Sequence, residues 1–291
     1  MSEVDIDHLR GWIGNTQDKS DTVSPRLVES FNAIFGISSD PVPGGIAPPG
    51  IHWCLAPDIA PMSALDPDGH PARGGFLPPV PLPRRMWAGG HVEFSGELCV
   101  GDTVTRRSRI DDVTQKSGRS GALVFVTVRH DYLTSRGVVL SERQDIVYRD
   151  QNTEVSARPG SETPARPAAE PAVADHSLEI DACAPLLFRY SALTFNGHRI
   201  HYDLAYVTEE EGYPGLIVHG PLIATLLMDL CWREQPERRL VRFDYRAMSP
   251  LFHIAPFTVN GRLDDHGKTA QLWAADADGG LAMQAEAEFA D

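Results

Sequence analysis

The chain has 291 residues and lacks most of the marks that assign a protein quickly. It has four cysteines, Cys54, Cys99, Cys183 and Cys231, and no C-x-x-C pair. This excludes a zinc ribbon or dithiol redox motif and leaves buried, reduced thiols as the expectation. Positive charge is also scarce: 26 Lys and Arg against 40 Asp and Glu give a formal net charge of -14. Nucleic acid and anionic membrane both demand a basic surface, so neither is expected as a partner. A phosphate-bearing small ligand stays open, because a local arginine cluster overrides the average. No apolar run approaches the roughly 18 residues of a membrane span. The opening MSEVDIDHLRGWIGN is acidic and has no apolar h-region, so no signal peptide is expected. The expectation is a soluble, cytoplasmic protein. Walker A and dinucleotide fingerprints are missing, so no nucleotide cofactor is implied.

What is present is ample apolar material, 42% of residues, enough for a real core. Residues 151–175 hold Pro159, Pro164, Pro167 and Pro171 among Ser, Ala and Glu. Such a composition buries too little surface to fold compactly and reads as a linker. It divides the chain into residues 1–150 and 176–291, each of domain size. In the second half, Leu222, Ile223, Leu226, Leu227 and Leu230 give residues 221–232 the spacing of a helix with a wide apolar face. Pro221 suits its first position and Gly220 the cap before it. Strands are expected at 240–248, 257–263, 268–275 and 281–289, the first alternating Val241, Phe243, Tyr245 and Ala247 against Arg242, Asp244 and Arg246. Asp264-Asp265-His266-Gly267 reads as a turn. The first half repeats the plan less clearly, with a helix at 26–35 and strands at 103–110, 123–133 and 138–148. Val124, Val126 and Val128 share one face, and Ser117-Gly118-Arg119-Ser120-Gly121 forms a loop. A helix followed by antiparallel strands in each half is an α+β pattern.

Chemistry concentrates in Thr194-Phe195-Asn196-Gly197-His198-Arg199-Ile200-His201-Tyr202-Asp203. Eighteen residues after His201 comes His219-Gly220-Pro221, at the start of the apolar helix. An imidazole beside a helix N-terminus combines a proton acceptor with free backbone N–H groups, the equipment for acid/base chemistry next to a carbonyl.

These segments, with Phe188-Arg189-Tyr190-Ser191 before them and Tyr213-Pro214-Gly215-Leu216-Ile217-Val218 between them, resemble the MaoC-like hydratase/dehydratase family. Within it the likeness points to its mesaconyl-C4-CoA (3-methylfumaryl-CoA) hydratases and mitochondrial-type 3-hydroxyacyl thioester dehydratases. Leu82-Pro83-Arg84-Arg85-Met86-Trp87-Ala88-Gly89-Gly90 resembles the N-terminal dehydratase-like domain of the same proteins. The resemblance implies a double hot-dog fold, two curved antiparallel sheets each wrapped around a helix, and reversible addition of water to a 2,3-enoyl thioester. The family carries an Asp and a His five positions apart; here His201 holds the His position, but the Asp position is Asn196.

An amide does not exchange a proton near pH 7. His201 is therefore expected to move the proton, Asn196 to orient the water through its carbonyl oxygen or amide N–H, and Gly220 to offer the oxyanion donor. His198 and Asp203 are read as positioning groups and His219 as fixing the loop before the helix. Substrate phosphates call for cations, with Arg84-Arg85, Arg106-Arg107 and Arg238-Arg239 as candidates; Arg199 is the candidate for a free substrate carboxylate, with solvent exposure or a pair with Asp203 as its other readings. No metal is expected, since His198-x-x-His201 with Asp203 has no further ligand set. His91-Val92-Glu93 lacks the P-C-x-x-C that zinc deaminases add, and Asp66-Pro67-Asp68-Gly69 lacks calcium-loop spacing.

The expected partner is an acyl-CoA or acyl-carrier-protein thioester, as substrate with no cofactor, and a homodimer is admitted. Mesaconyl-C4-CoA to citramalyl-CoA is the leading reaction. Alternatives are dehydration of 3-hydroxy fatty acyl thioesters, thioester hydrolysis, and a noncatalytic acyl-thioester scaffold. No counterpart of Asn196 and His201 is visible in the first half, so one active site per chain is expected.

Overall fold

The computed structural model describes residues 4–118, 121–150, 173–264 and 266–290. Ten strands form one continuous sheet in the order β1-β3-β4-β5-β2-β7-β10-β9-β8-β6. Every pairing is antiparallel. Strands β1 (Thr16–Thr22), β2 (Arg84–Phe94), β3 (Thr103–Gly118), β4 (Gly121–Thr134) and β5 (Gly137–Arg149) come from the first half. Strands β6 (His176–Ile180), β7 (Leu240–Ala247), β8 (Phe257–Leu263), β9 (Thr269–Ala275) and β10 (Leu281–Phe289) come from the second. The helices are α1 (Ile6–Arg10), α2 (Pro25–Phe35), α3 (Ala184–Leu193) and α4 (Gly220–Glu234). The fold is a double hot-dog.

The alternation read from the sequence matches the burial. Val124, Val126 and Val128 are buried on β4, as are Phe243 and Tyr245 on β7 and Met283, Ala285, Ala287 and Phe289 on β10. Helix α4 goes further than a wide apolar face: every residue from Leu222 to Cys231 is buried. It packs on β7, β8, β9 and β10, which curve around it. Each buried Leu or Ile there contributes about 1.5–3 kcal/mol relative to exposure. Asp229 is the ionisable exception, its carboxylate accepting from Arg233 Nε at 2.7 Å, while Arg233 Nη2 donates to Phe35 O at 2.6 Å. The end of α4 is thereby tied to the end of α2.

Sequence periodicity gave no indication of β1, β2 or β6. Strand β3 also runs past the expected 103–110, through a bulge between Ile110 and Asp112. Strand β2 matters most, because it pairs with β7 and joins the two halves of the sheet. Gly89 and Gly90 replace side chains at the seam, and a Cβ on Gly90 would collide with the Tyr245 hydroxyl. Cross-strand partners His91 and Asp244 meet there at 2.7 Å, so the histidine of the discarded H-x-E motif is a seam contact. Of the stretch expected to be a linker, residues 151–172 lie outside the described residues, as do residues 119–120 of the expected loop and Asp265 of the expected turn.

Candidate active site

Helix α3 ends by turning the chain sharply. Thr194 is its C-cap, and Phe195 adopts φ 51, one of two positive-φ non-glycine residues among those described. That left-handed step is unfavourable for a bulky residue. It redirects the backbone so that Asn196 N–H bonds Ser191 O at 2.8 Å. Asn196 Oδ1 then accepts from His198 N–H at 3.0 Å, an Asx turn that sets up the short 3-10 helix Arg199–His201. The carbonyl oxygen is thus committed to the backbone, and the amide N–H is what Asn196 has left to offer a ligand.

His201 is buried, and its Nδ1 lies 2.7 Å from Ile217 O. A carbonyl only accepts, so Nδ1 carries the proton and the lone pair sits on Nε2. The backbone reinforces this approach, with Ile217 N–H bonded to Ile200 O at 3.0 Å. Burial pushes the His201 pKa down to about 4, so the ring is neutral at pH 7. Its plane stacks on His219, ring centroids 3.6 Å apart and 19° from parallel. His219 Nε2 meets Ser191 Oγ at 2.8 Å. Burial and the neighbouring imidazoles hold His219 well below the ordinary histidine range.

His219 is also the N-cap of α4, and no side chain caps that helix. Gly220 N–H therefore starts the helix unbonded by any cap, where helix amides and the macrodipole favour negative charge. Trp87 of β2 closes over it: a Cβ on Gly220 would lie 2.8 Å from Trp87 Cε3. Trp87 stacks on Tyr245 at 4.3 Å and meets Trp53 edge-on at 5.4 Å. Trp53 and Trp87 of the first half and Tyr245 of the second form an aromatic wall, and its Trp87 ring lies against the start of α4.

The arginines divide. Arg199 is occupied by Asp203 (2.9 Å), Pro67 O (3.0 Å) and the face of Tyr206 at 4.0 Å. Arg84 is buried in an ion pair with Glu211 at 3.3 Å and lies over the Tyr213 ring at 5.1 Å. Arg85 makes no ion pair among the described residues, and its charge disfavours protonation of His70 and His198. Arg107 pairs with Asp18 (3.0 Å), Arg106 lies 3.5 Å from Asp58, and Arg238 and Arg239 donate to His266 O and Phe94 O. Among the described residues, no hydrogen bond or ion pair joins these four to the His201 cluster.

Asp68 and His70, on a Pro/Gly-rich loop of the first half, stand beside His198, a grouping the sequence reading missed. Its one signal was the Asp66-Pro67-Asp68-Gly69 turn. His70 Nδ1 bonds Asp68 Oδ2 at 3.0 Å, and the His70 and His198 rings lie 4.0 Å apart. Ligand-type atoms of Asp68, His70 and His198 fall within 4.8 Å of one another. Two imidazoles bound tetrahedrally to one zinc at about 2.0 Å would hold their centroids about 5 Å apart. The 4.0 Å separation is that of packed rings, with His70 bonded to Asp68 and His198 tilted 42° against it.

Comparison with known proteins bears on this arrangement. The family model for hydroxyacyl-thioester dehydratase type 2 matches residues 50–253, which span the His70 loop, the aromatic wall, His201 and Gly220. The chain is 43% identical over 281 residues to a mesaconyl-C(4)-CoA hydratase of Chloroflexus aurantiacus, covering 96% of each. It is 27% identical over 230 residues to the mitochondrial hydroxyacyl-thioester dehydratase type 2 of Schizosaccharomyces pombe, covering 72% of this chain and 76% of that one. Among solved structures, a MaoC-like dehydratase superposes with a TM-score of 0.69 at 15% identity, covering 97% and 99% of the two chains. A Mycobacterium tuberculosis protein described as a double hot-dog fold does so with a TM-score of 0.56 at 14% identity, covering 96% of each. This chain belongs to the hydroxyacyl-thioester dehydratase type 2 family, within the MaoC-like hydratases and dehydratases.

Proposed function

We propose that the chain adds water reversibly to a 2,3-enoyl thioester, with mesaconyl-C4-CoA to citramalyl-CoA as its reaction. The observation that carries this is the stacking of His201, with Nδ1 fixed on Ile217 O, against the residue that precedes the uncapped Gly220. The 43% identity to a mesaconyl-C(4)-CoA hydratase supports the acyl group. In hydration, His201 Nε2 takes a proton from water as the oxygen bonds to C3. The C2=C3 pair shifts to C1=C2 as the carbonyl pair moves onto the thioester oxygen, where Gly220 N–H and the helix N-terminus stabilise the enolate. The imidazolium then returns its proton to C2, leaving His201 unchanged.

Asn196 N–H is available to the incoming water or the product hydroxyl. His219 holds the His201 ring, and Ser191 holds His219. The substrate's free carboxylate needs a cation near the histidines. With Arg199 occupied by Asp203, we read Arg85 as that cation and Arg84 as a support of the Tyr213 ring. A bound phosphate remains compatible with either guanidinium. Every step is a proton transfer by protein groups, so the reading calls for no cofactor. The first half, residues 1–150, then supplies Trp87 and the acyl pocket, while the proton is moved by His201 of residues 176–291.

Dehydration of 3-hydroxy fatty acyl thioesters uses the same machinery and is the second reading, favoured by the family match and the weaker mitochondrial relative. A panel of enoyl-CoAs separates the two, followed by loss of the conjugated thioester absorbance. Turnover concentrated on mesaconyl-C4-CoA is the expected result; preference for long 2-enoyl chains selects the second reading. Tight CoA-ester binding without any turnover overturns both. His201→Ala should abolish hydration with the melting temperature preserved, and near wild-type turnover in that variant would remove His201 from the mechanism.

A further inference from the structure

The hydratase reading leaves the reacting water with one assigned proton acceptor, His201. Resting on that reading, we propose that His70, oriented by Asp68, is the second hydrogen-bond acceptor on the water and a catalytic residue of the same site.

The turn that carries His70 is docked on the His201 segment backbone to backbone. Arg199 N–H donates to Asp68 O at 2.9 Å, and Arg199 Nη1 to Pro67 O at 3.0 Å. Gly69 has φ +89, and a Cβ there would collide with the carbonyl of Gly197. Only glycine allows this approach, both for its left-handed backbone and for the space. The turn is a built part of the site wall.

The tautomers agree. Asp68 accepts from His70 Nδ1–H through Oδ2 and from His70 backbone N–H through Oδ1 at 2.9 Å. A carboxylate only accepts while ionised, and its two bonds to His70 hold Asp68 ionised, below its usual range. Nδ1 of His70 is therefore the donor and Nε2 holds the lone pair, as in His201. Neither Nε2 has a protein partner among the described residues. His198 packs against both rings, 4.0 Å from His70 and 5.5 Å edge-on from His201, and His201 lies within electrostatic reach of His70. A water has two O–H bonds. Giving one to each Nε2 fixes its orientation and leaves an oxygen lone pair for C3.

The charged and titratable groups facing His70 are Asp68 and Arg73 of its own loop, Arg85 of β2, and His198 and His201. Burial, Arg85 and Arg73 keep the ring neutral against the pull of Asp68. Protonation would replace the lone pair with a donor and eject the water from its catalytic orientation. In the step itself, one O–H bond breaks toward His201 as O–C3 forms, and that proton ends on C2. The other O–H bond remains directed at His70 and becomes the product hydroxyl, so His70 gains and loses no proton.

The test measures kcat and KM for mesaconyl-C4-CoA against pH, with melting temperatures, on the full chain. His70→Ala should lower kcat about 10²-fold with KM changed only a few-fold. His70→Gln, which restores an acceptor oxygen without titrating, should recover part of the rate. Its acid limb should be set by His201 alone. Asp68→Asn should move the acid limb of the profile to lower pH, because Asp68 raises the His70 pKa. Adding Asn196→Asp to His70→Ala should regain activity, since one carboxylate oxygen keeps the His198 bond and the other faces the water; adding it to His201→Ala should not. Wild-type protein inactive on every enoyl thioester overturns the hydratase reading. Active wild type, dead His201→Ala and a His70→Ala variant with unchanged kcat and pH profile overturns His70 alone. A His70→Ala loss confined to KM, or one that neither Gln nor Asn196→Asp relieves, also overturns it.

Discussion

Helices α2 and α4 both begin with a proline in the first turn, yet they start in opposite ways. Ser24 caps α2, its Oγ accepting from Leu27 N–H at 3.2 Å. The helix ends at Gly36 in the left-handed region, whose N–H returns to Asn32 O. Helix α2 satisfies its termini and buries one face. Helix α4 begins at His219, whose ring turns away to Ser191 and His201 and leaves the first amides uncapped. It is nonetheless surrounded by apolar side chains from Leu222 to Cys231. Orphan helix donors are costly when dehydrated, so the capped start of α2 serves stability, and the uncapped start of α4 fits the ligand role proposed for it. Arg233, reaching from α4 to Phe35 O, joins the two without blurring that difference.

The sharpest way to break the comparison is Gly220→Ala. The added methyl, 2.8 Å from Trp87 Cε3, must shift the aromatic wall or the helix start. Loss of an oxyanion donor costs about 10²–10³-fold in kcat. Steady-state kinetics should show a loss of that order; a variant with full turnover would end the claim that this helix start serves the chemistry.

Acid stability compares the two halves next. Unfolded histidine titrates near 6.5, whereas burial holds His52 and His130 of the first half near 3 and His201 near 4. Between those values the unfolded chain binds more protons, so stability falls as pH drops below about 6.5. Each such histidine contributes a slope of about 1.4 kcal/mol per pH unit. Denaturant midpoints at pH 7 and pH 5 should therefore differ clearly. His130→Gln and His201→Gln should each flatten the dependence, which would stay unchanged if the rings were charged in the fold.

Asn196→Asp should hold turnover within about tenfold of wild type, because one carboxylate oxygen keeps the His198 N–H bond seen at 3.0 Å. A far larger loss would show that the amide N–H itself is required. The smallest effect belongs to the other helix: Ser24→Ala should cost about 1 kcal/mol of stability and leave kcat untouched. A kinetic defect there would show that α2 shares in the site.

Much of this could be read from the residues in order. The strand alternation at β4, β7 and β10 and the apolar spacing of α4 match the burial because one-sided burial writes itself into period two and period 3.6. Strand β2 hid itself because its seam position demands Gly89 and Gly90, where the neighbouring Tyr245 needs room that a side chain would take. In the site, the His201 segment and Gly220 stand out as compact motifs. The Asp66–His70 turn does not, since Asp-Pro-Asp-Gly is ordinary turn chemistry until a second backbone is seen docked on it. Arg199 shows the reverse case: the sequence left a substrate contact, solvent or Asp203 open, and the fold placed it on Asp203.

By itself the sequence determined the α+β elements, the family resemblance, the buried helix and the exchange of a carboxylate for Asn196, because these depend on residue type and local spacing. Only the tertiary structure decided which nitrogen of His201 is free, that Trp87 closes over Gly220, and that Asp68 and His70, far upstream in the chain, stand beside His198. Tautomers, close packing and electrostatic reach are set by atoms distant in sequence, and a linear pattern carries no record of them.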